Sequence, residues 1–458
     1  MNVDTHHVDG GLLAELGRFA HTFRWEDAPE VVQRQARLSI LDTVGCMVAG
    51  AEVPEAQKIY AAEQRLSGKA VASVIGRHEK LDMFCATRTN AYFGDIFELN
   101  DLTGGHASIA VVPASLAYAE AHGNTGKEVA EAVLVGIEVV SRVYAAYYSH
   151  IKSYNDTGIA PPGIPSTIGT AAALARLAKL DEEQTSHALQ IAGALAGWCP
   201  AEVIFGAGGT VKPMLFGSWP GSVALQAVAY ASVDMTGPAR VLESPIGLYA
   251  TLATEFDAEE ITHPSAWHLA QPRRKQHACC GYIHAAIDAM VTLRAQGINP
   301  TQAARIEVRM PQYVIPVISK GRSPATPNEA RFHAEYCIAL AANGASLISP
   351  QHSIDLATHY PAVKDLVERI RVVADNSLNH YHQSQVTGFD STGAELFSHV
   401  VKAPKGAPGD PMSDDEVKKK FVQLCQSNMP EGGMSNYLAD IERLEHQASC
   451  EWIVRRFC

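Results

Sequence analysis

The ionisable residues best placed for chemistry sit in short segments whose surroundings are apolar or small. The first is Phe97-Glu98-Leu99-Asn100-Asp101-Leu102-Thr103-Gly104-Gly105-His106-Ala107-Ser108, where two acids and an imidazole flank a Gly-Gly turn. An apolar run opens directly behind it at Ile109. A loop entering a helix in this way can hold anionic groups and place a base beside them. The same residues also suit a capping loop whose Asp and His satisfy buried backbone, and the sequence leaves both readings open. The second segment, 206–213, sets Lys212 between a glycine run and Pro213: a buried cation for a carboxylate, or an ordinary solvated lysine. The third opens with Arg273, Arg274 and Lys275, three successive cations on an acidic chain, which suggests local capture of an anion. Cys279 and Cys280 follow, with His284 four residues further on. Paired thiols raise the possibility of a nucleophile, but nothing local marks either as a low-pKa thiolate, and packing is the simpler reading. The fourth, 158–169, is a Pro- and Gly-rich loop with backbone shape but no titratable side chain.

The elements that must position these segments read as mainly helical. Residues 11–23 and 31–48 mix apolar and polar positions at helical spacing. Residues 109–121 and 169–180 are apolar on nearly every side, as helices in the middle of a large bundle are. Helix starts are expected near Thr125, Asp181 and Ser413, with about ten helices before residue 254. The pattern then changes. Strands are expected at 305–310 and 369–374, two more across 387–393 and 395–401, and helices at 329–340 and 353–357. The domain reading is therefore a large all-helical domain over 1–265, completed by the tail 405–458, and a smaller α+β domain over 266–404.

Composition narrows the function classes. The chain has 458 residues with 37 Lys+Arg against 49 Asp+Glu, a formal net charge of -12 that argues against nucleic acid as a partner. No apolar run approaches the roughly 20 residues a membrane span needs. The opening residues carry neither a basic nor an apolar leader region. Nine cysteines, an odd number without repeated spacing, fit reduced thiols in a cytoplasmic protein. Phosphate-binding glycine motifs, HExxH, paired CxxC and GxSxG are all missing, and His380-Tyr381-His382 is a lone HxH, so no metal site is expected.

Taken in order, the motifs LDTVGCMVAG, ELNDLTGGHASIAVVPASLAYAEA, STIGTAAALARLAKLD, GTVKPMLFGSWPGSVA, KQHACCGYIHAAIDA, NEARFHAEYCIALA and KGAPGDPMSDDEVKKKF resemble the MmgE/PrpD family. That family includes 2-methylcitrate dehydratase, cis-aconitate decarboxylase and iminodisuccinate epimerase. The resemblance implies a helical domain carrying an α+β lid, with the active site between them. It implies a homodimer that needs no metal or organic cofactor. It also implies a small di- or tricarboxylate substrate and proton transfer at the carbon next to a carboxylate.

Carried over residue by residue, the resemblance makes His106 the general base or acid, with Asp101 orienting or charging it. Lys212 and Lys275 would bind substrate carboxylates and stabilise an enolate-like state, since charge building on oxygens already anionic must be absorbed by fixed cations. Glu98, Asn100, Thr103 and Cys280 complete the expected site, with Thr103 as a hydrogen-bond donor. The chain departs from the family pattern where a loop histidine falls on Ala160 and where His-Pro-Gly becomes Leu215-Phe216-Gly217. A pocket poorer in imidazole and more apolar is expected. The leading expectation is a lyase of the dehydratase or hydratase type. An epimerase using Lys212 as a second base follows, then a decarboxylase, a non-catalytic carboxylate binder and a Cys280 hydrolase.

Overall fold

Helices begin where the sequence supplies a cap, and their packing follows from how much of each surface is apolar. The computed structural model describes residues 11–197, 199–205, 209–321 and 323–458. Helices of eight residues or more, numbered along the chain, begin with α1 (Leu12–Thr22), α2 (Glu30–Gly50), α3 (Pro54–Leu66), α4 (Met83–Asp95), α5 (Ala107–His122) and α6 (Gly126–Tyr148). Next come α7 (Gly163–Leu177), α8 (Glu182–Leu195) and α9 (Ser218–Ala231). The region after these holds α10 (His284–Ala295), α11 (Ala334–Ala342) and α12 (Leu356–Val367), and the tail holds α13 (Asp414–Cys425) and α14 (Glu431–Glu442).

The expected caps at Thr125, Asp181 and Ser413 are all present. Each accepts the backbone N–H three residues on, and each is met by a reciprocal side chain from Glu128, Gln184 or Glu416. Such a cap stabilises its helix by about 1 kcal/mol. The near-continuous apolar surfaces of α5 and α7 are buried on all sides, with Ile109, Val111, Val112, Ile168 and Leu174 inaccessible to solvent. At the crossing of α6 and α7, a Cβ on Gly169 would lie 2.5 Å from the Gly136 carbonyl oxygen, so only glycine permits this approach.

Four strands form one sheet: β1 (Arg305–Met310), β2 (Ile370–Ala374), β3 (Ser384–Phe389) and β4 (Glu395–Val401), in the order β2-β1-β3-β4. β1 is parallel to β2 and antiparallel to β3, and β3 is antiparallel to β4. Helix α10 packs on this sheet. β3 lies earlier than expected because Asp390 Oδ1 accepts the N–H groups of Thr392 and Ala394, folding 390–394 into a turn. The helix expected over 329–340 breaks before α11, where His333 Nδ1 accepts the Tyr336 N–H at 3.2 Å and restarts it. The helix expected at 353–357 is the junction between Pro350–Ile354 and α12, which runs on through Pro361.

Buried apolar residues fall into two clusters. One joins positions between 12 and 278 to the tail from 417 to 457; the other spans 279–401. Among the described residues, no helix is long and apolar enough to cross a membrane.

Candidate active site

A cavity with an open mouth is lined by residues of both clusters. The loop between α4 and α5 forms one wall. There Gly104, Gly105 and His106 occupy the left-handed region in succession, at φ 54°, 74° and 94°. A Cβ on Gly105 would lie 2.9 Å from the Tyr144 ring, so the turn requires glycine twice over. Glu98 is also left-handed at φ 53°. Two non-glycine residues held in this costly region, both on the cavity wall, mark the loop as over-determined by its surroundings.

Those surroundings are a connected polar network. His106 Nδ1 lies 3.0 Å from Asn100 Oδ1, and Asn100 Nδ2 donates to Asp95 Oδ1 at 2.8 Å. Because the amide must donate to the Asp95 carboxylate, its oxygen faces the imidazole and accepts from Nδ1–H. This assigns the tautomer and leaves Nε2 as the basic nitrogen. Burial, and then Lys275, holds the His106 imidazole well below its ordinary pKa, so it rests neutral. Its ring stacks on Phe216, with centroids 4.7 Å apart and planes at 14°.

Behind Glu98 lie two fully buried lysines. Lys275 Nζ donates to the Glu98 carbonyl at 2.7 Å and pairs with Glu98 Oε2 at 2.9 Å. Lys212 pairs with Glu98 Oε1 and lies 3.3 Å from Asp95 Oδ2. Its ammonium also stands 5.1 Å from the ring centroids of Phe216 and Phe332. Burial, opposed by Asp95, lowers Lys212 to about 8.

The sequence-derived candidates thus converge, but in altered roles. Glu98, His106 and Cys280 line the cavity; Asn100, Asp101, Thr103, Lys212 and Lys275 do not. Asp101 was expected to orient or charge His106, and it does neither. It accepts from Ser108 Oγ at 2.7 Å and Ser108 N at 3.3 Å, tying down the start of α5, and Asn100 takes the orienting place. Burial pushes the Asp101 carboxyl up to about 6. Thr103, expected to donate to substrate, accepts the Arg273 N–H on Oγ1 at 3.0 Å and hydrogen-bonds Asp101. The lysines, expected to meet substrate carboxylates, are already bracketed by the Glu98 carboxylate. Burial raises the Cys280 thiol, consistent with an inert wall rather than a nucleophile. Residues 206–208 of the glycine run before Lys212 lie outside the described residues. Ala160 is buried, its N–H bonded to the Cys199 carbonyl.

Sequence reasoning missed Asp95, although an acid closing the α4 helix three residues before Glu98 was a usable signal. It also missed the aromatic wall. Tyr144 and Tyr148 stand one helical turn apart on α6, and Tyr154, Tyr282 and Tyr381 join them. Arg273 was noted only as part of a basic run.

Comparison with known proteins follows the same outline. Residues 14–261 match the MmgE/PrpD N-terminal domain and residues 277–437 match the MmgE/PrpD C-terminal domain. The cis-aconitate decarboxylase-like protein oryM of Aspergillus oryzae is 23% identical across 93% of each chain. Cis-aconitate decarboxylase of Aspergillus terreus is 28% identical over 63% of this chain and 61% of its own. The Mus musculus cis-aconitate decarboxylase is 23% identical over 95% and 91% of the two chains.

Proposed function

This chain belongs to the MmgE/PrpD family, and on that premise we propose that it is a cofactor-independent lyase of the dehydratase or hydratase type. Its substrate is a small di- or tricarboxylate, and the reaction moves a proton at the carbon next to a carboxylate. The observation that carries this reading is the Asp95–Asn100–His106 relay, which leaves a neutral imidazole with a defined free nitrogen on the wall of the cavity.

In the dehydrating direction, His106 Nε2 accepts the α-proton. The released electron pair forms the C=C bond, and the β-hydroxyl leaves. The proton held on His106 then goes to the departing hydroxide, giving water and restoring the neutral base. Charge growing on the substrate carboxylate calls for a cation placed in advance in a low-dielectric site, and Arg273 is the lysine or arginine on the described cavity wall. Lys212 and Lys275 hold the Glu98 carboxylate in place at the wall.

The relatives' names point to decarboxylation of cis-aconitate, and that reading ranks below dehydration here. The loop histidine of the family pattern is replaced by Ala160, which transfers no proton. An epimerase remains the alternative. The second base expected for it, Lys212, does not line the cavity, which ranks this reading below dehydration.

Proton NMR in D₂O separates these reactions. Purified enzyme is incubated with methylcitrate, citrate, cis-aconitate, malate, tartrate and iminodisuccinate, with His106→Ala as control. The expected outcome is gain or loss of vinyl signals that depends on His106. Exchange of the α-hydrogen without a new skeleton would indicate the epimerase. Unchanged turnover in His106→Ala would remove the base assignment.

A further inference from the structure

The cavity wall is more aromatic than a small, highly charged acid requires. Tyr144, Tyr148, Tyr154, Tyr282 and Tyr381 make up much of its wall, with Ile204 and Val317 between them. Several of these tyrosines have their hydroxyls engaged. Tyr154 pairs with Tyr282, Tyr148 with Tyr313, and Tyr381 with Arg273, leaving ring surface for a ligand. Tyr144 and Tyr148 stack at 4.8 Å between centroids and so present joined ring surface on this wall.

The charges facing this space are few. Glu98 and Asp95 pair with Lys212 and Lys275 away from this space, and Arg273 is the one lysine or arginine among the described lining residues. Among the described residues Arg273 has no carboxylate partner; its side chain is braced by the Tyr381 hydroxyl at 3.3 Å. Its backbone is locked to the catalytic loop, with the Leu102 N–H donating to the Arg273 carbonyl at 2.7 Å and the Arg273 N–H to Thr103 Oγ1 at 3.0 Å. A guanidinium that rises from a fixed backbone and gives one hydrogen bond to a hydroxyl has donors to spare for a carboxylate.

Resting on the lyase reading above, we propose that Arg273 anchors a carboxylate of the substrate and that the tyrosine wall takes an apolar, ring-sized substituent carried by the same molecule. The substrate class is a small polycarboxylate bearing an aromatic or comparable hydrophobic group. The departure at Phe216 fits this. The ring stacked on His106 presents an apolar face where the family pattern has proline.

Calorimetric titration of the full chain with succinate and with 2-benzylsuccinate, which share one head group, tests the proposal directly. 2-Benzylsuccinate is expected to bind at least tenfold more tightly. Arg273→Gln is expected to weaken both ligands at least tenfold, and Tyr148→Ala to erase most of the benzyl advantage. Equal or tighter binding of succinate by the unmodified protein overturns the substituent site. Unchanged affinities in Arg273→Gln overturn the anchor. Deuterium incorporation next to the carboxylate of 2-benzylmalate, followed separately, reports on the chemistry. Tight binding without exchange counts against the lyase reading and leaves this one standing, and exchange without benzyl preference does the reverse.

Discussion

At His106, basicity is set by what the other nitrogen touches. Asn100 Oδ1 holds Nδ1 at 3.0 Å, and Asp95 holds the Asn100 amide at 2.8 Å. Asn100→Ala removes that hold while leaving the imidazole in place. Losing such a hydrogen bond costs about 1–3 kcal/mol, which is about 5- to 160-fold in kcat at about 1.36 kcal/mol per decade. Asn100→Asp, which keeps the acceptor, is expected to retain more activity than Asn100→Ala, and steady-state kinetics of the pair checks this. The pH profile carries a second prediction. His106 is held well below the ordinary imidazole value by burial and Lys275, so no acid limb is expected near the usual value of about 6.5. Lys212, lowered to about 8 by burial, is cationic below that pH and neutral above it. Activity should therefore fall as pH rises through about 8, because Glu98 and Asp95 then lose a counter-charge. Lys212→Arg, which stays protonated, should move that limb upward in any variant that retains activity. A limb that stays put would assign it to another group.

The elements that hold the loop 97–106 come from distant parts of the chain. Helix α13 of the tail sends Lys420 to the Leu99 carbonyl at 2.8 Å and to Asp42 on α2 at 2.7 Å. One buried side chain thus ties the tail, the second helix and the loop together. Lys420→Met leaves Asp42 buried and unpaired, and breaking a buried pair in this way costs about 3–5 kcal/mol. The denaturation midpoint should fall accordingly, and the double variant Asp42→Asn/Lys420→Met should recover much of the loss. If the double variant were no better than the single one, the pair would not be the source of the effect. The left-handed run Gly104-Gly105-His106 shows the same dependence on neighbours. Its geometry is enforced by Val140, Ser141 and Tyr144 of α6, not by local preference.

At the scale of the molecule, the cavity is a seam between two buried clusters, with the loop 97–106 on one side and residues 273–282 on the other. A ligand that fills it contacts both. Hydrogen exchange with saturating ligand should therefore show protection in both segments together. Protection confined to one side would mean that the ligand sits elsewhere. Ligand at 100 times its Kd also stabilises the folded state by about 2.7 kcal/mol, so the melting temperature should rise with it.

Much of this molecule is written locally. Helical periodicity, the caps at Thr125, Asp181 and Ser413, and the alternation in β1 act over a few residues and are legible without a fold. The same holds for the ionisable segments, which are unusual within their own neighbourhoods. Their roles were not legible. Asp101 and Asn100 are adjacent in sequence, and only tertiary packing turned the amide toward His106 and the acid toward Ser108. Likewise, Lys212 and Lys275 look like ligand-binding cations until the fold brings Glu98 between them, more than a hundred residues from either. Composition and periodicity determine which groups will be buried. Which buried charge finds which partner is decided by long-range contacts, because an unpaired charge in the interior is too costly to leave and any compatible neighbour can satisfy it.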